Sequence, residues 1–160
     1  MYVPGRGSIA FLLLILISAS SAAFAARVEK GVLDLREIQQ GDEFTVRMNG
    51  EWEFYFGTFI PGTPGDICDT LIPDCYGTVP GYWSDYTVDG RKLPRFGYGT
   101  YRALIVLPRG YRDRMGFEMP VFDTSYEISI NGVTMARNGT PARSLAESVP
   151  AYEPLIFSYV

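Results

Sequence analysis

Residues 126–139 read YEISINGVTMARNG, and this stretch indicates the class of fold. Tyr126, Ile128 and Ile130 alternate with polar residues, which is the period-two pattern of a strand with one buried face. Asn131-Gly132 comes next, and Asn-Gly is the preferred pair for a two-residue type I′ turn because both of its residues need a positive φ. The stretch therefore predicts a β-hairpin.

The same alternation recurs elsewhere along the chain, in residues 44–48 (FTVRM), 52–56 (WEFYF) and 115–119 (MGFEM). Residues 101–107 (YRALIVL) are apolar on both faces apart from Arg102, which predicts a central strand covered on both sides. Long amphipathic helical stretches are absent after the first 25 residues, and Gly and Pro turns separate the runs. Together these patterns predict an all-β fold, an antiparallel β-sandwich.

Two stretches between these runs predict turns and loops. Asn49-Gly50 lies between runs 44–48 and 52–56, so it predicts a second hairpin of the same type. Residues 61–94 hold five prolines and both cysteines, and we expect this segment to be mostly loop.

The first 25 residues have the composition of a secretory signal peptide. Arg6 precedes the apolar run 9–17, and Ala23-Phe24-Ala25 fits the small-x-small rule for cleavage. An uncleaved membrane anchor is the alternative. We therefore expect an exported chain whose single domain is residues 26–160.

Composition excludes several classes of function for residues 26–160. They carry 13 Lys and Arg against 18 Asp and Glu, a net charge of −5, so we expect no binding of nucleic acid or of an anionic membrane surface. Histidine is absent, which removes the commonest general base and most zinc sites. Glu51 and Glu53 share a strand face that the pattern places outward, and we interpret them as solvated surface rather than a catalytic pair. We therefore expect this segment to have no catalytic activity and no cofactor.

The cysteine loop, residues 61–78, could have two roles beyond that of a simple connection: it could carry a disulfide or bind a metal ion. Cys68 and Cys75 predict a structural disulfide because export leads to an oxidising compartment, and a metal or redox pair is the alternative. Asp66, Asp69 and Asp74 lie in the same loop. Their spacing matches no known calcium loop, so we interpret them as solvated acidic residues rather than calcium ligands.

Asn138-Gly139-Thr140 is a formal N-glycosylation sequon. Pro141 follows it and weakens the motif. The sequon matters only if the chain passes through a eukaryotic secretory pathway.

Six segments in order resemble a known family of bacterial sensor domains. They are GVLDLR (31–36), NGEWEFYFG (49–57), VPGYW (79–83), GYGTYRALIVLP (97–108), INGVTMARNG (130–139) and ESVPAYEP (147–154). Their order and spacing resemble the extracytoplasmic N-terminal domain of bacterial seven-transmembrane receptors with diverse intracellular signalling modules. That domain is similar to the galactose-binding-like jelly roll of family 2 glycoside hydrolases. The cysteine loop, residues 61–78, departs from the family pattern.

The resemblance implies a sensor that binds a carbohydrate or a similar small molecule outside the cytoplasmic membrane. For this ligand we predict Trp83 and Tyr98 as stacking faces, because Tyr and Trp rings pack against the apolar C–H edges of sugars. Arg102 and Asp123 are the predicted partners of sugar hydroxyls. Packing in the core is the alternative role for the aromatic residues.

Two further interpretations belong to other classes of protein. One is the front of a family 2-like glycoside hydrolase, and the other is a secreted adhesion or envelope module. The family's closing strands and membrane part have no counterpart up to Val160, where an apolar run ends the sequence. We therefore expect a jelly roll that is incomplete at its C-terminal strands, with any membrane attachment lying in a longer protein.

Overall fold

A computed structural model describes residues 26–39, 41, 43–60, 71–122 and 124–160. This part of the chain is all-β, with one short 3-10 helix at Trp83–Asp85 and no α-helix. Its strands are β1 (Val32–Asp34), β2 (Gly50–Phe56), β3 (Cys75–Val79), β4 (Thr87–Val88), β5 (Arg91–Lys92), β6 (Gly99–Arg102), β7 (Leu104–Val106), β8 (Met115–Met119), β9 (Tyr126–Ile130), β10 (Val133–Asn138) and β11 (Leu155–Tyr159). The all-β prediction is confirmed.

Strand β2 is the centre of a three-stranded antiparallel sheet with the order β3-β2-β6. Trp52 lies opposite Gly77 in β3, and Phe54 lies opposite Tyr101 in β6. The adjoining strands β1 and β7 pair in parallel, so the strand pairing is not purely antiparallel. This sheet positions the residues of the candidate site.

The predicted central strand at residues 101–107 is corrected by the structure. The run divides at Ala103 because β6 pairs with β2 whereas β7 pairs with β1. β6 is an edge of the three-stranded sheet, and Leu104 in β7 is 61% exposed. The apolar residues on both faces of this run therefore did not indicate that other elements cover both of its faces.

The hydrophobic core lies beside the start of β2. Val28, Leu33, Leu35 and Ile38 are buried together in this core. Its half-buried neighbours are Ala26, Phe44, Val46, Met48, Trp52, Ala103, Ile105 and Leu107. The N-terminal segment thus supplies the buried side chains, and the segments before and after β2 cover them.

The alternation of residues 44–48 correctly predicts which side chains are buried, but it wrongly predicts that the segment forms a strand of a sheet. Phe44, Val46 and Met48 are half-buried while the residues between them are exposed, but the segment forms no strand. Gly50 begins β2 with a φ of +138° and bridges to Val28, whose N–H donates to the Asn49 carbonyl over 2.9 Å. The predicted type I′ hairpin at Asn49-Gly50 is therefore wrong, because the N-terminal segment takes the place that a pairing strand would occupy.

The hairpin predicted from residues 126–139 is confirmed. Ile130 in β9 pairs with Val133 in β10, and the two residues between them have positive φ values. Asn131 has a φ of +47° and Gly132 a φ of +84°, as a type I′ turn requires. Strand β11 pairs antiparallel with β8 beside this hairpin.

Within the described residues, no helix is long and apolar enough to cross a membrane. The predicted signal peptide at residues 1–25 lies outside the described residues, as do Cys68 and Asp123. These predictions stay predictions.

Candidate functional site

The pair of strands β2 and β6 has two chemically different faces. Because successive side chains of a strand point to opposite faces, Phe54 and its opposite neighbour Tyr101 share one face. Glu53 and its opposite neighbour Arg102 share the other. We call these the aromatic face and the polar face.

The aromatic face is densely packed. Phe54 is fully buried, and its ring centroid lies 4.5 Å from that of Tyr101 and 5.5 Å from that of Tyr86. Gly77 makes this packing possible, because a Cβ there would lie 2.2 Å from the Tyr86 ring. This face is part of the core and leaves no room for a ligand among these rings.

The hydroxyl groups of the aromatic face are paired with one another. Tyr86 donates to the Thr78 carbonyl over 2.8 Å, and the hydroxyls of Tyr101 and Tyr86 lie 3.3 Å apart. Burial raises the pKa of both Tyr86 and Tyr101. Both phenols are therefore neutral at physiological pH.

Trp83 belongs to the aromatic face. Its ring stacks on Phe54 with centroids 6.1 Å apart, and its indole N–H donates to the Pro94 carbonyl over 2.9 Å. The side chain is half-buried, and both its ring and its donor are engaged within the protein. This arrangement matches the packing role that the sequence left as an alternative.

The polar face holds an ion pair between neighbouring strands. Arg102 Nε donates to Glu53 Oε2, and the two side chains are 27% and 18% exposed. The guanidinium group also lies over the Tyr55 ring, 5.5 Å from its centroid. The interpretation of Glu53 as solvated surface is therefore wrong. Its Cγ also lies close to Gly31, where an added Cβ would approach it to 2.6 Å.

Tyr55 completes this cluster. Its hydroxyl donates to Glu53 Oε2 over 3.1 Å, and its side chain is almost fully buried. Burial, followed by the hydrogen bond to Glu53, raises the pKa of Tyr55 to about 12. The polar face thus combines a guanidinium and a neutral phenol that both donate to the same carboxylate oxygen, Glu53 Oε2.

The segment after β2 folds along the polar face. Thr100 donates to the Thr58 carbonyl over 2.8 Å and accepts the Ile60 N–H over 3.1 Å. Tyr98 packs against Phe59 with ring centroids 4.9 Å apart, and Tyr98 is half-buried. These contacts hold the Tyr98 ring beside the strand that carries Arg102.

The structure therefore separates Trp83 from two of the other predicted ligand-binding residues, Tyr98 and Arg102. Tyr98 and Arg102 lie along the polar face, Trp83 lies on the aromatic face, and Asp123 lies outside the described residues. A ligand of monosaccharide size cannot touch both faces of one sheet. Sequence reasoning missed Glu53 and Tyr55 as members of the cluster, since only the β2–β6 register brings Glu53 opposite Arg102.

The cysteine loop is described only from residue 71 onward. Cys75 is half-buried, and burial raises the pKa of its thiol. Its predicted partner Cys68 lies outside the described residues, so the disulfide stays a prediction. Asp74 accepts the Phe56 N–H over 2.7 Å and so closes the loop onto β2. Asp66 and Asp69 lie outside the described residues; within those residues, no group of three or more acidic or cysteine side chains is placed to hold a metal.

The sequon at Asn138 has a structural role. Asn138 is 2% exposed, and its amide group donates to the carbonyls of Thr124 and Ala151 over 3.1 and 2.7 Å. Its side-chain oxygen accepts the Glu153 N–H over 3.3 Å. A glycan on this nitrogen would have to break these hydrogen bonds, so the folded chain cannot carry one there.

Comparison of the chain with protein-family models, with curated proteins and with solved structures found no match. The resemblance to the receptor sensor domains stays a prediction that rests on the six sequence segments.

Proposed function

We propose that this chain is the extracytoplasmic sensor domain of a bacterial membrane receptor and that it binds a carbohydrate on its polar face. The proposed fold is a β-sandwich of the galactose-binding-like jelly-roll type. The all-β structure and the confirmed β9–β10 hairpin support this proposal. The observation that carries it is the half-buried Glu53–Arg102 pair, whose arginine lies in β6, the strand that begins directly after Tyr98.

The chemistry of this cluster suits sugar hydroxyl groups, which both donate and accept hydrogen bonds. A carboxylate has about four acceptor sites, so Glu53 can accept from a sugar as well as from Arg102 and Tyr55. The guanidinium supplies charge-assisted donors. Tyr98 offers an aromatic surface against which the C–H edge of a sugar ring can pack.

Binding would transmit a signal by differential affinity. A ligand that favours one arrangement of the sensor relative to the membrane part shifts the receptor's equilibrium by as much as its affinities for the two states differ. This function requires no catalytic step. The domain would work outside the cytoplasmic membrane, after export directed by residues 1–25.

The proposal is tested by titrating the intact chain with uncharged mono- and disaccharides and following binding by calorimetry. Tyr98→Ala should weaken binding about three- to tenfold, the size expected for loss of one aromatic contact. Arg102→Lys retains the charge but loses the fork-shaped donor group, and it should also weaken binding.

Tyr82→Ala is the matched control, because Tyr82 is 79% exposed and precedes the 3-10 helix that contributes to the aromatic face. It should leave affinity unchanged. If no saccharide binds, the carbohydrate proposal is wrong. If a saccharide binds and Tyr98→Ala has no effect while Trp83→Ala does, the binding surface is not the polar face.

A further inference from the structure

We propose a second binding site, a groove at the start of β2 that takes a carboxylate-bearing saccharide. The groove has a volume of about 620 Å³ and is broadly open to solvent. It is lined by Ala26, Arg27, Thr45, Arg47, Asn49, Gly50, Thr78, Val79 and Pro80. It is distinct from the polar-face cluster, because none of Glu53, Tyr98 or Arg102 lines it.

Arg27 is positioned by backbone hydrogen bonds of its neighbour. The Val28 N–H donates to the Asn49 carbonyl over 2.9 Å, and the Val28 carbonyl accepts the Glu51 N–H over 2.8 Å. Gly50 permits this close approach, because a Cβ there would lie 2.0 Å from the Val28 carbonyl oxygen. The backbone on which Arg27 sits is therefore fixed against β2.

Arg47 faces outward because its two neighbours pack against the core. Val46 and Met48 pack against the hydrophobic core, so the residues between and beside them face outward. Thr45, Arg47 and Asn49 are all exposed and all line the groove. One wall is thus a row of polar side chains at every second position.

The groove is electropositive on an acidic chain. Its lining includes two arginines and no carboxylate. An adjoining depression is lined by Arg27, Glu29, Lys30 and Glu51, whose charges balance. Arg47 adds a further positive charge, so the groove and the depression together have a net charge of +1. By contrast, residues 26–160 as a whole carry a net charge of −5. A local excess of this sign favours an anionic ligand.

The donor groups select a particular kind of anion. Guanidinium groups bind planar carboxylates in a two-pronged geometry. The hydroxyls of Thr45 and Thr78 and the amide of Asn49 can bond to sugar hydroxyls, and Val79 and Pro80 supply an apolar wall. A sugar acid presents this combination of carboxylate, hydroxyls and C–H surface.

The test compares glucuronate, glucose and sulfate by NMR titration of the intact chain. Glucuronate should bind at least about tenfold more tightly than either of the others, and it should shift the amide signals of Asn49 and Gly50. Arg47→Gln and Arg27→Gln should each weaken glucuronate binding by about fivefold or more. Arg91→Gln, at an exposed arginine of β5 that does not line the groove, should have no effect.

Three outcomes would overturn the inference. Equal binding of sulfate would show that the groove attracts any anion, and equal binding of glucose would show that the carboxylate is irrelevant. Loss of glucuronate binding in Tyr98→Ala but not in Arg47→Gln would place the ligand on the polar face. In that case the proposed sensor function would stand and the second site would not.

Discussion

The N-terminal region, residues 26–107, and the C-terminal region, residues 108–160, are both built from short strands, yet they bury different kinds of side chain. Among the described residues of the N-terminal region, six apolar or aromatic residues are buried, including Leu33 and Phe54. In the described part of the C-terminal region the one buried residue is Asn138, and apolar residues such as Phe117 and Phe157 are half-buried.

This difference indicates two means of stabilisation. Burial of apolar area contributes roughly 25 cal/mol per Å², so the N-terminal region gains most from its core. The C-terminal region instead depends on strand pairing and on Asn138, whose three hydrogen bonds join the end of β10 to residues 124, 151 and 153. Regions held in this second way are expected to open locally at lower free energy.

Of the substitutions that test this comparison, Phe54→Ala should change the free energy of unfolding most. Loss of a fully buried Phe should lower the free energy of unfolding by about 4 kcal/mol, since it removes apolar contacts and leaves a cavity. Phe117→Ala, made at the half-buried ring that stacks on Phe157 at 5.2 Å, should cost about half as much. Urea unfolding measures the loss of stability in each variant. Equal losses in the two variants would show that the two regions do not differ in packing.

Asn138→Ala should have the next largest effect. It leaves two carbonyls and one N–H, in partly buried hydrogen bonds, without their partner, which costs about 2 kcal/mol. Hydrogen exchange should accelerate around residue 153 more than in β2. Asn49→Ala is the control, because Asn49 is exposed and should change stability by less than about 0.5 kcal/mol. An unchanged exchange rate at residue 153 would mean that Asn138 does not hold this region closed.

The elements that could be predicted from the sequence are those whose information is local. The β9–β10 hairpin is an example, because its Asn131-Gly132 turn needs only two adjacent residues with positive φ. β8 and β9 likewise follow their own alternation. Asn49-Gly50 has the same two residues and forms no such turn, because Val28, from a distant segment, donates its N–H to the Asn49 carbonyl. Tertiary contacts therefore explain why one Asn-Gly pair forms a type I′ turn and the other does not.

The candidate site could be predicted only in part, for a related reason. Tyr98 and Arg102 were identified as residue types suited to a sugar, but Glu53 joins them through strand register. Trp83 fits the same residue-type argument and lies on the other face. Periodicity within one strand indicates which residues share a face of that strand, and it carries no information about which strand lies alongside.

Alkaline titration tests the N-terminal region through Tyr55. Its pKa is raised from 10.0 to about 12, so folding favours the neutral phenol. The stability that this shift contributes is fully present below pH 10 and is lost as the pH rises through about 12. Tyr55→Phe should reduce the loss of stability measured by urea unfolding between these pH values. An identical alkaline profile in the variant would show that Tyr55 is not protected by burial.

The smallest expected effect lies in the C-terminal region, at the ion pair between β9 and β10. Glu127 and Arg137 are directly opposed, and Glu127 accepts from Arg137 Nε and from Thr134 Oγ1, each over 3.0 Å. The hydrogen bond from Arg137 lowers the pKa of Glu127 from 4.5, so its contribution is present above pH 4.5 and is lost as the pH falls through the folded-state pKa. Both side chains are well exposed, and a pair of this kind contributes about 0.5 kcal/mol. Glu127→Gln should therefore lower the free energy of unfolding by that amount at pH 7 in low salt, and the difference from the parent chain should shrink as the pH falls below 4.5 and in 1 M salt. A loss above about 1.5 kcal/mol would instead show that charge pairs, and not Asn138 alone, hold the C-terminal region together.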